Sequence, residues 1–365
     1  MIEFEPDSQS PSSSQGAGEN SSIRIKVLGV GGAGCNILSR LNYSSSDELK
    51  FIALNTDKRN LAECKIERKL QLGGNISGGW GTGGNPEIGK QIALEEKNRL
   101  KEILEETDLL LLISGLGKGT GTGVSPVIAR LAKEMDKLVL AFAILPFHFE
   151  GNERFSRAKK GLQELEKVVD ALMVVSNNDL LKEKDISLKE GLTEIDRVFG
   201  STVKAVGGLF FWPSLIELDF ADIKAFLKKK GYMQVVVGKG KGKEAATNAV
   251  KEAISFPLLH KVSFEKVKGL IFNIRGGKNL LLSQVEKAAS LVRKSISREA
   301  EFFWGASIDE NLSDEAFLTL ITLDSQMHLE EEKAEKKSSS QGELNLKIYE
   351  NEDLDIPTFL RRREN

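Results

Sequence analysis

Residues 108–123 read "DLLLLISGLGKGTGTG". A short apolar run gives way to nine residues, 115–123, that hold five glycines and two threonines. The run is apolar throughout, the pattern of a strand buried on both faces of a parallel sheet. Glycine loses more backbone freedom on folding than any other residue, so a series of it has a reason. One reason is that backbone N–H groups must reach a phosphate with no side chains in the way; a plain turn is the other. These nine residues alone leave both open.

Outward from this stretch the chain alternates two patterns. Apolar strand candidates are "IRIKVLGV" (23–30), "LKFIALNT" (49–56), "KLVLAFAIL" (137–145) and "ALMVVSN" (171–177). Helical periodicity fills the gaps, as in "PEIGKQIALEEKNRLKEILEE" (86–106) and "RFSRAKKGLQELEKVVD" (154–170). Strands alternating with helices predict βαβ units on a parallel sheet. A long helical pattern over 187–211 then runs to Pro213, which marks its end. Beyond it, strand candidates at 232–240, 267–277, 301–309 and 316–323 interleave with helical patterns at 243–257 and 280–296. The expected fold is α/β: an N-terminal Rossmann-like parallel-sheet domain (23–187), a long central helix (188–212) and a second, smaller α/β domain (213–325). Residues 1–22 and 326–353 are polar, Ser-rich and too poor in apolar residues to fold, an arm and a linker respectively.

Two further glycine loops accompany the first, "GVGGAGCN" (29–36) and "SGGWGTGGNPEIG" (77–89). Gly29, Gly31 and Gly34 fit the G-x-G-x-x-G dinucleotide pattern, with Asp57 downstream, but that pattern needs no second and third loop. A Walker loop needs Gly-Lys followed by Ser or Thr, and Gly119 follows Lys118 here. Strand C-terminal ends share one edge of a parallel sheet, so three loops can converge on one polyphosphate.

Composition excludes several other classes. The chain has 365 residues, 40% of them hydrophobic, and a net charge of −2. No apolar run is long enough to span a bilayer, and no signal peptide is expected at the N-terminus. Cys35 and Cys64 are the only cysteines, the usage of a cytoplasmic chain rather than a disulfide framework. Three scattered histidines and two cysteines predict no protein-built metal site. No basic stripe suits nucleic acid.

At this point the chain resembles a family. "GTGTG" after an apolar strand is similar to the signature of the tubulin/FtsZ superfamily. "GVGGAGCN", "FIALNTD", "GTGGNPEIG", "PFHFEGNERF" and "LDFADIKAF" resemble its FtsZ branch, the prokaryotic cell-division GTPases. The resemblance runs from Ile23 to Leu323, and the closing "LDIPTFLRRR" resembles that family's C-terminal peptide. It implies GTP/GDP and Mg²⁺ as ligands. Phosphate contacts are implied for Gly31, Gly32 and Asn36, and for Gly117, Gly119, Thr120, Gly121 and Thr122. Gly83, Gly84 and Asn85 would approach the γ-phosphate. Glu150 and Arg154 would lie near the ribose; their alternative is an i,i+4 surface ion pair. Asn177 would lie close to the base. Asp219 and Asp222 match a catalytic loop that completes the site of the next subunit in a head-to-tail filament; their alternative is helix capping. Residues 354–365, through Leu354, Ile356, Pro357, Phe359 and Leu360, would dock membrane-anchoring division proteins and bring a cytoplasmic polymer to the division site.

Four departures from the family pattern stand out. Lys118 replaces a glycine and either binds a phosphate oxygen or points to solvent. Glu217, grouped with Asp219 and Asp222 in the catalytic set, replaces an asparagine just before "LDFAD", where its charge should repel the γ-phosphate unless Mg²⁺ or Lys118 compensates. At the base, the stacking phenylalanine becomes Leu192 and an Asn-Asp pair becomes Asp196-Arg197. A carboxylate accepts from guanine N1–H and its amine, whereas an arginine accepts nothing, so with Asp196 and Arg197 at the nucleotide guanine specificity is either weakened or supplied by Asp196. Trp80 is also unusual, as a lid or as packing on a neighbour. The alternatives to a self-assembling GTPase are a filament scaffold with weak or absent hydrolysis and a Rossmann oxidoreductase.

Overall fold

The computed structural model describes residues 23–41, 45–46, 49–181, 187–211, 214–216, 218–255 and 266–324. The N-terminal arm, Pro213, Glu217, the linker and the C-terminal peptide lie outside the described residues. In chain order the elements are β1 (Ile25–Val30), α1 (Gly31–Leu41), β2 (Leu49–Asn55), α2 (Lys58–Glu63), β3 (Arg68–Gln71) and α3 (Gly74–Ser77). Then follow α4 (Pro86–Glu95), α5 (Lys97–Leu104), β4 (Leu109–Gly115), α6 (Gly119–Glu134), β5 (Leu138–Leu145), α7 (Asn152–Glu166), β6 (Ala171–Ser176) and α8 (Asn177–Leu180). The rest comprises α9 (Leu188–Phe211), α10 (Phe220–Leu227), β7 (Gly231–Lys241), α11 (Ala245–Ile254), β8 (Val267–Gly276), α12 (Leu282–Ser295), β9 (Glu301–Ile308) and β10 (Glu315–Asp324).

The strands form one sheet in the order β3-β2-β1-β4-β5-β6-β7-β10-β8-β9. Strands β1 to β6 are parallel, as the continuous apolar character of all but β3 predicts, and β1 and β5 are buried along their whole length. The join to the second half is narrow: β6 meets β7 only at Ala171–Gly231 and Leu172–Tyr232. Beyond it β10 runs antiparallel between β7 and β8. Helix α9 reinforces the join by burying Ile195, Val198, Phe199, Val203 and Val206 in the same core as β4, β5 and β6. The Phe199 ring meets Phe142 of β5 edge-on at 5.8 Å. Each such side chain contributes about 1.5–3 kcal/mol by burial. A second core lies between α11, α12 and the strands β7, β8 and β10.

Two elements differ from expectation. The single helix predicted over 86–106 is two, because Glu96 leaves helical geometry (φ −96°, ψ 19°). Its carboxylate accepts the Gly73 N–H and pairs with Arg99, so the break ties this helical region to the segment after β3. Strand β3, "RKLQ", carries no apolar run because it is a short edge paired only with β2.

Lys26 is a buried cation inside β1. Its Nζ donates to the Ile103 carbonyl at 2.7 Å and to the Glu105 carbonyl, closing the end of α5. Burial, helped by Arg68 and Lys50, lowers its pKa to about 8. The folded chain therefore gives up this proton before the unfolded chain does. Between pH 8 and the ordinary lysine value near 10.5, stability should rise as the folded-state charge is lost, by roughly 2 kcal/mol. Urea unfolding of wild type and Lys26→Met across this range checks it; the variant's stability should lack that rise.

Candidate functional site

A cavity of about 500 Å³ opens at the C-terminal edge of the parallel sheet. The turn after β1, the segment after β2, the loop before α4, the start of α6, the end of β5 and Asn177 at the start of α8 all reach it. This is the edge where open α/β sheets bind ligands.

The local chemistry explains why these segments meet there. Asp57 caps α2, accepting the N–H groups of Arg59 at 2.9 Å and Asn60 at 3.1 Å. The third glycine loop is stitched to that turn: the Lys58 N–H donates to the Gly79 carbonyl and the Gly81 N–H to the Thr56 carbonyl. Asn85 then caps α4, whose first residue is Pro86, by accepting the Glu87 N–H at 3.0 Å. The "GTGTG" stretch is the first turn of α6 rather than a free loop. Backbone crowding fixes its glycines. A Cβ on Gly121 would lie 2.3 Å from the Gly115 carbonyl oxygen, and one on Gly123 2.1 Å from that of Pro86. Helices α4 and α6 therefore pack backbone to backbone. The N-termini of α1 and α6, with their positive dipole ends, and the loop that leads into α4 face one space.

The cavity is built for an anion. Lys118 lines it, exposed, and so does Arg154. Arg154 pairs with Glu150, which also accepts the Phe147 N–H at 2.9 Å. Burial lowers the Arg154 pKa, yet a guanidinium stays protonated. Arg154 Nε and Asn177 Oδ1 are buried without a protein partner. Each costs about 1–3 kcal/mol unless a ligand satisfies it. Among the described lining residues Asp57 is the only carboxylate, and its Oδ1 accepts both N–H bonds of the α2 cap.

Of the residues singled out by sequence, Gly31, Gly32, Asn36, Gly83, Gly84, Lys118, Gly119, Thr120, Gly121, Arg154 and Asn177 line this cavity. Others do not. Thr122 is buried beneath the turn, where its hydroxyl accepts the Gly117 N–H at 2.8 Å. Gly117 itself packs under the Arg154 backbone. Glu150 acts through Arg154. Asp196, expected at the base, instead has its carboxylate gripped by the Arg40 guanidinium of α1, with Nη2 at 2.8 Å from Oδ1. Arg197 lies exposed and pairs with Glu194. Asp219 and Asp222 sit at the start of α10, both exposed and off the cavity; Asp219 caps that helix through the Ala221 N–H at 3.0 Å. Asn55, Asp57 and Asn60 also line the wall; the "FIALNTD" motif spans the first two without implying a site role for them, and Asn60 lies beyond it. An Asn-Thr-Asp run closing a buried strand, one residue before a helix, was the available signal. Trp80 stands at the lip, 72% exposed, with the Arg59 guanidinium 4.7 Å above its ring.

Comparison with known proteins extends this geometry. Residues 24–185 match the family model described as the tubulin/FtsZ family GTPase domain, and residues 231–326 match the FtsZ family C-terminal domain. The cell division protein FtsZ of Buchnera aphidicola is 36% identical over 304 residues, covering 83% of this chain and 79% of that protein. FtsZ of Aquifex aeolicus is 34% identical over 303 residues, 82% of this chain and 83% of that protein. Among solved structures, an empty FtsZ dimer from M. jannaschii superposes with a TM-score of 0.75 at 33% identity, covering 84% of this chain and 89% of that one.

Proposed function

The chain belongs to the FtsZ family of tubulin-like cell-division GTPases, and on that premise we propose that its active site is completed by a second copy docking head to tail over the cavity. It binds GTP and GDP, hydrolyses GTP, and self-associates. One observation carries the proposal. The described cavity wall holds cations and N–H donors for phosphates but a single carboxylate, Asp57, whose Oδ1 takes both bonds of the α2 cap. One remaining carboxylate oxygen is little for both a cation and an attacking water. Asp219 and Asp222 are exposed elsewhere, at the start of α10. A second copy that brings those carboxylates to the mouth supplies the further oxygen atoms. The two surfaces in such a contact differ, so it does not close and grows into a filament.

In this reading Gly31, Gly32, Asn36, Gly119, Thr120 and Gly121 hold the phosphates and Lys118 adds a point charge. Gly83 and Gly84 face the γ-phosphate, while Arg154, oriented by Glu150, and Asn177 hold the sugar and base. Thr82, Thr120 and Asp57 offer oxygen atoms on the same wall. No cluster of three acidic, His or Cys side chains among the described residues could cage an ion alone. That donor set suits Mg²⁺ held mainly by phosphate oxygens and water, where it would neutralise charge developing on the phosphates. The C-terminal residues Leu354, Ile356, Pro357, Phe359 and Leu360 are proposed to dock membrane-anchoring division proteins. No helix among the described residues is long and apolar enough to cross a membrane, and a cytoplasmic polymer recruited in this way needs none.

Trp80 provides the test of the docking geometry. At 72% exposure on the lip, its indole should be covered by the second copy. With GTP or a slowly hydrolysed analogue, its emission should shift to the blue in step with pelleted polymer. Trp80→Phe should remove the shift. Polymer that pellets with Trp80 emission unchanged argues against a head-to-tail contact over the cavity.

A further inference from the structure

The turn after α6 contains an aspartate where a glycine would fit more easily. Asp136 has φ 51°, a left-handed conformation that most side chains resist. Its carboxylate reaches across to α10, with Lys224 Nζ at 3.1 Å from one oxygen and Lys228 Nζ at 3.3 Å from the other. Lys224 Nζ also donates to the Asp136 carbonyl at 3.4 Å. Lys224 and Lys228 are four apart and so share one face of the helix.

The turn itself is anchored. Lys133, in the last turn of α6, grips the buried Asp170 carboxylate at 2.7 and 2.8 Å, and Asp170 also accepts the Val139 N–H at 2.8 Å. Helix α10 packs Ile223, Phe226 and Leu227 into the core, which sets its depth. The Phe220 ring also meets Phe210 at 5.4 Å, and the contact with Asp136 adds a polar restraint on rotation about the helix axis. Asp219 and Asp222 lie in the first turn and cap of that helix, so any rotation swings them.

We propose that Asp136 is a positioning residue for the reaction. With Lys224 and Lys228 it fixes the rotation of α10 and hence the direction in which Asp219 and Asp222 are presented to a second copy. This rests on the head-to-tail reading above. It has a mechanical consequence. The helix whose first turn borders a chain's own phosphate site ends at the contact that aims the carboxylates offered to its neighbour. Adjacent active sites in a filament are thereby linked through one rigid helix.

The test compares Asp136→Asn, Lys224→Gln and their double variant in the full chain. Asparagine tolerates the left-handed turn, so the first variant removes charge without backbone strain. Turnover per polymerised subunit should fall about fivefold in each single variant, as expected for a misaimed group. Nucleotide affinity and thermal midpoint should stay at wild-type values. The double variant should be no worse than Asp136→Asn alone, since Lys224→Gln breaks one of the two contacts that Asp136→Asn already disturbs. Lys224→Arg should restore turnover. Full turnover in Asp136→Asn and Lys224→Gln, beside an inactive Asp222→Ala, overturns the inference and leaves the head-to-tail reading intact. Additive losses in the double variant, or a parallel loss of nucleotide affinity, also overturn it. An Asp222→Ala protein with full turnover overturns both.

Discussion

Asp222→Ala should lower GTP turnover per polymerised subunit by about a hundredfold or more while leaving GTP binding and polymer in place. The expectation follows from where the residue lies. Asp222 is exposed in the first turn of α10 and touches no part of its own chain's cavity. Truncating it removes no buried contact, so folding should be unaffected. Its neighbour Asp219 spends one oxygen on the Ala221 N–H and keeps the other free. Asp219→Ala should therefore cost both turnover and about 1 kcal/mol of helix capping. The pair separates two roles that a single variant would confuse. Phosphate release on pelleted polymer, with nucleotide content measured on the same pellet, checks both. Loss of nucleotide from the Asp222→Ala polymer would place the residue in binding rather than in chemistry.

Gly121→Ala has the larger effect on nucleotide binding. Its Cβ would fall 2.3 Å from the Gly115 carbonyl oxygen, which belongs to β4 and has no flexible end to move aside. Either α6 or β4 must shift, at a cost of about 1–3 kcal/mol. The shift also carries the N–H groups of Gly119, Thr120 and Gly121 away from the phosphates. Affinity for GTP and GDP should drop about a hundredfold, roughly 3 kcal/mol. Gly83→Ala provides the contrast. That glycine also lines the cavity, but its Cβ would meet nothing within 4 Å, and only its φ of 58° resists substitution. It should lose about 1 kcal/mol of stability and bind nucleotide far better than Gly121→Ala. Equilibrium binding of a fluorescent guanine nucleotide to each variant, with thermal unfolding alongside, makes the comparison.

The contrast shows what the sequence carried and what it did not. Five glycines in "GLGKGTGTG" fit a phosphate loop or a plain turn, and the stretch lines the cavity at the sheet edge. Yet two of the signature glycines, Gly121 and Gly123, are held by backbone crowding against Gly115 and Pro86. Such contacts between distant segments leave no periodic mark. The parallel strands were legible because burial on both faces makes them continuously apolar. Strand β3 was not, since an edge strand of Arg-Lys-Leu-Gln has no such requirement. The base side was the least legible. Asp196 reads as a guanine contact until Arg40, far away in sequence, is found holding its carboxylate. Asp57 reads as a dinucleotide-type acid, but it caps α2 on the cavity wall. In each case a long-range partner decides what a local pattern means.

Phosphate release from GTP, measured against protein concentration with sedimentation of the same samples, tests the shared site most directly. Turnover per subunit should be near zero at low concentration and rise steeply at the threshold where polymer first pellets, with ATP in parallel reporting base preference. Turnover per subunit that is the same below and above that threshold would mean that a single chain holds everything hydrolysis needs, and the interfacial active site would be wrong.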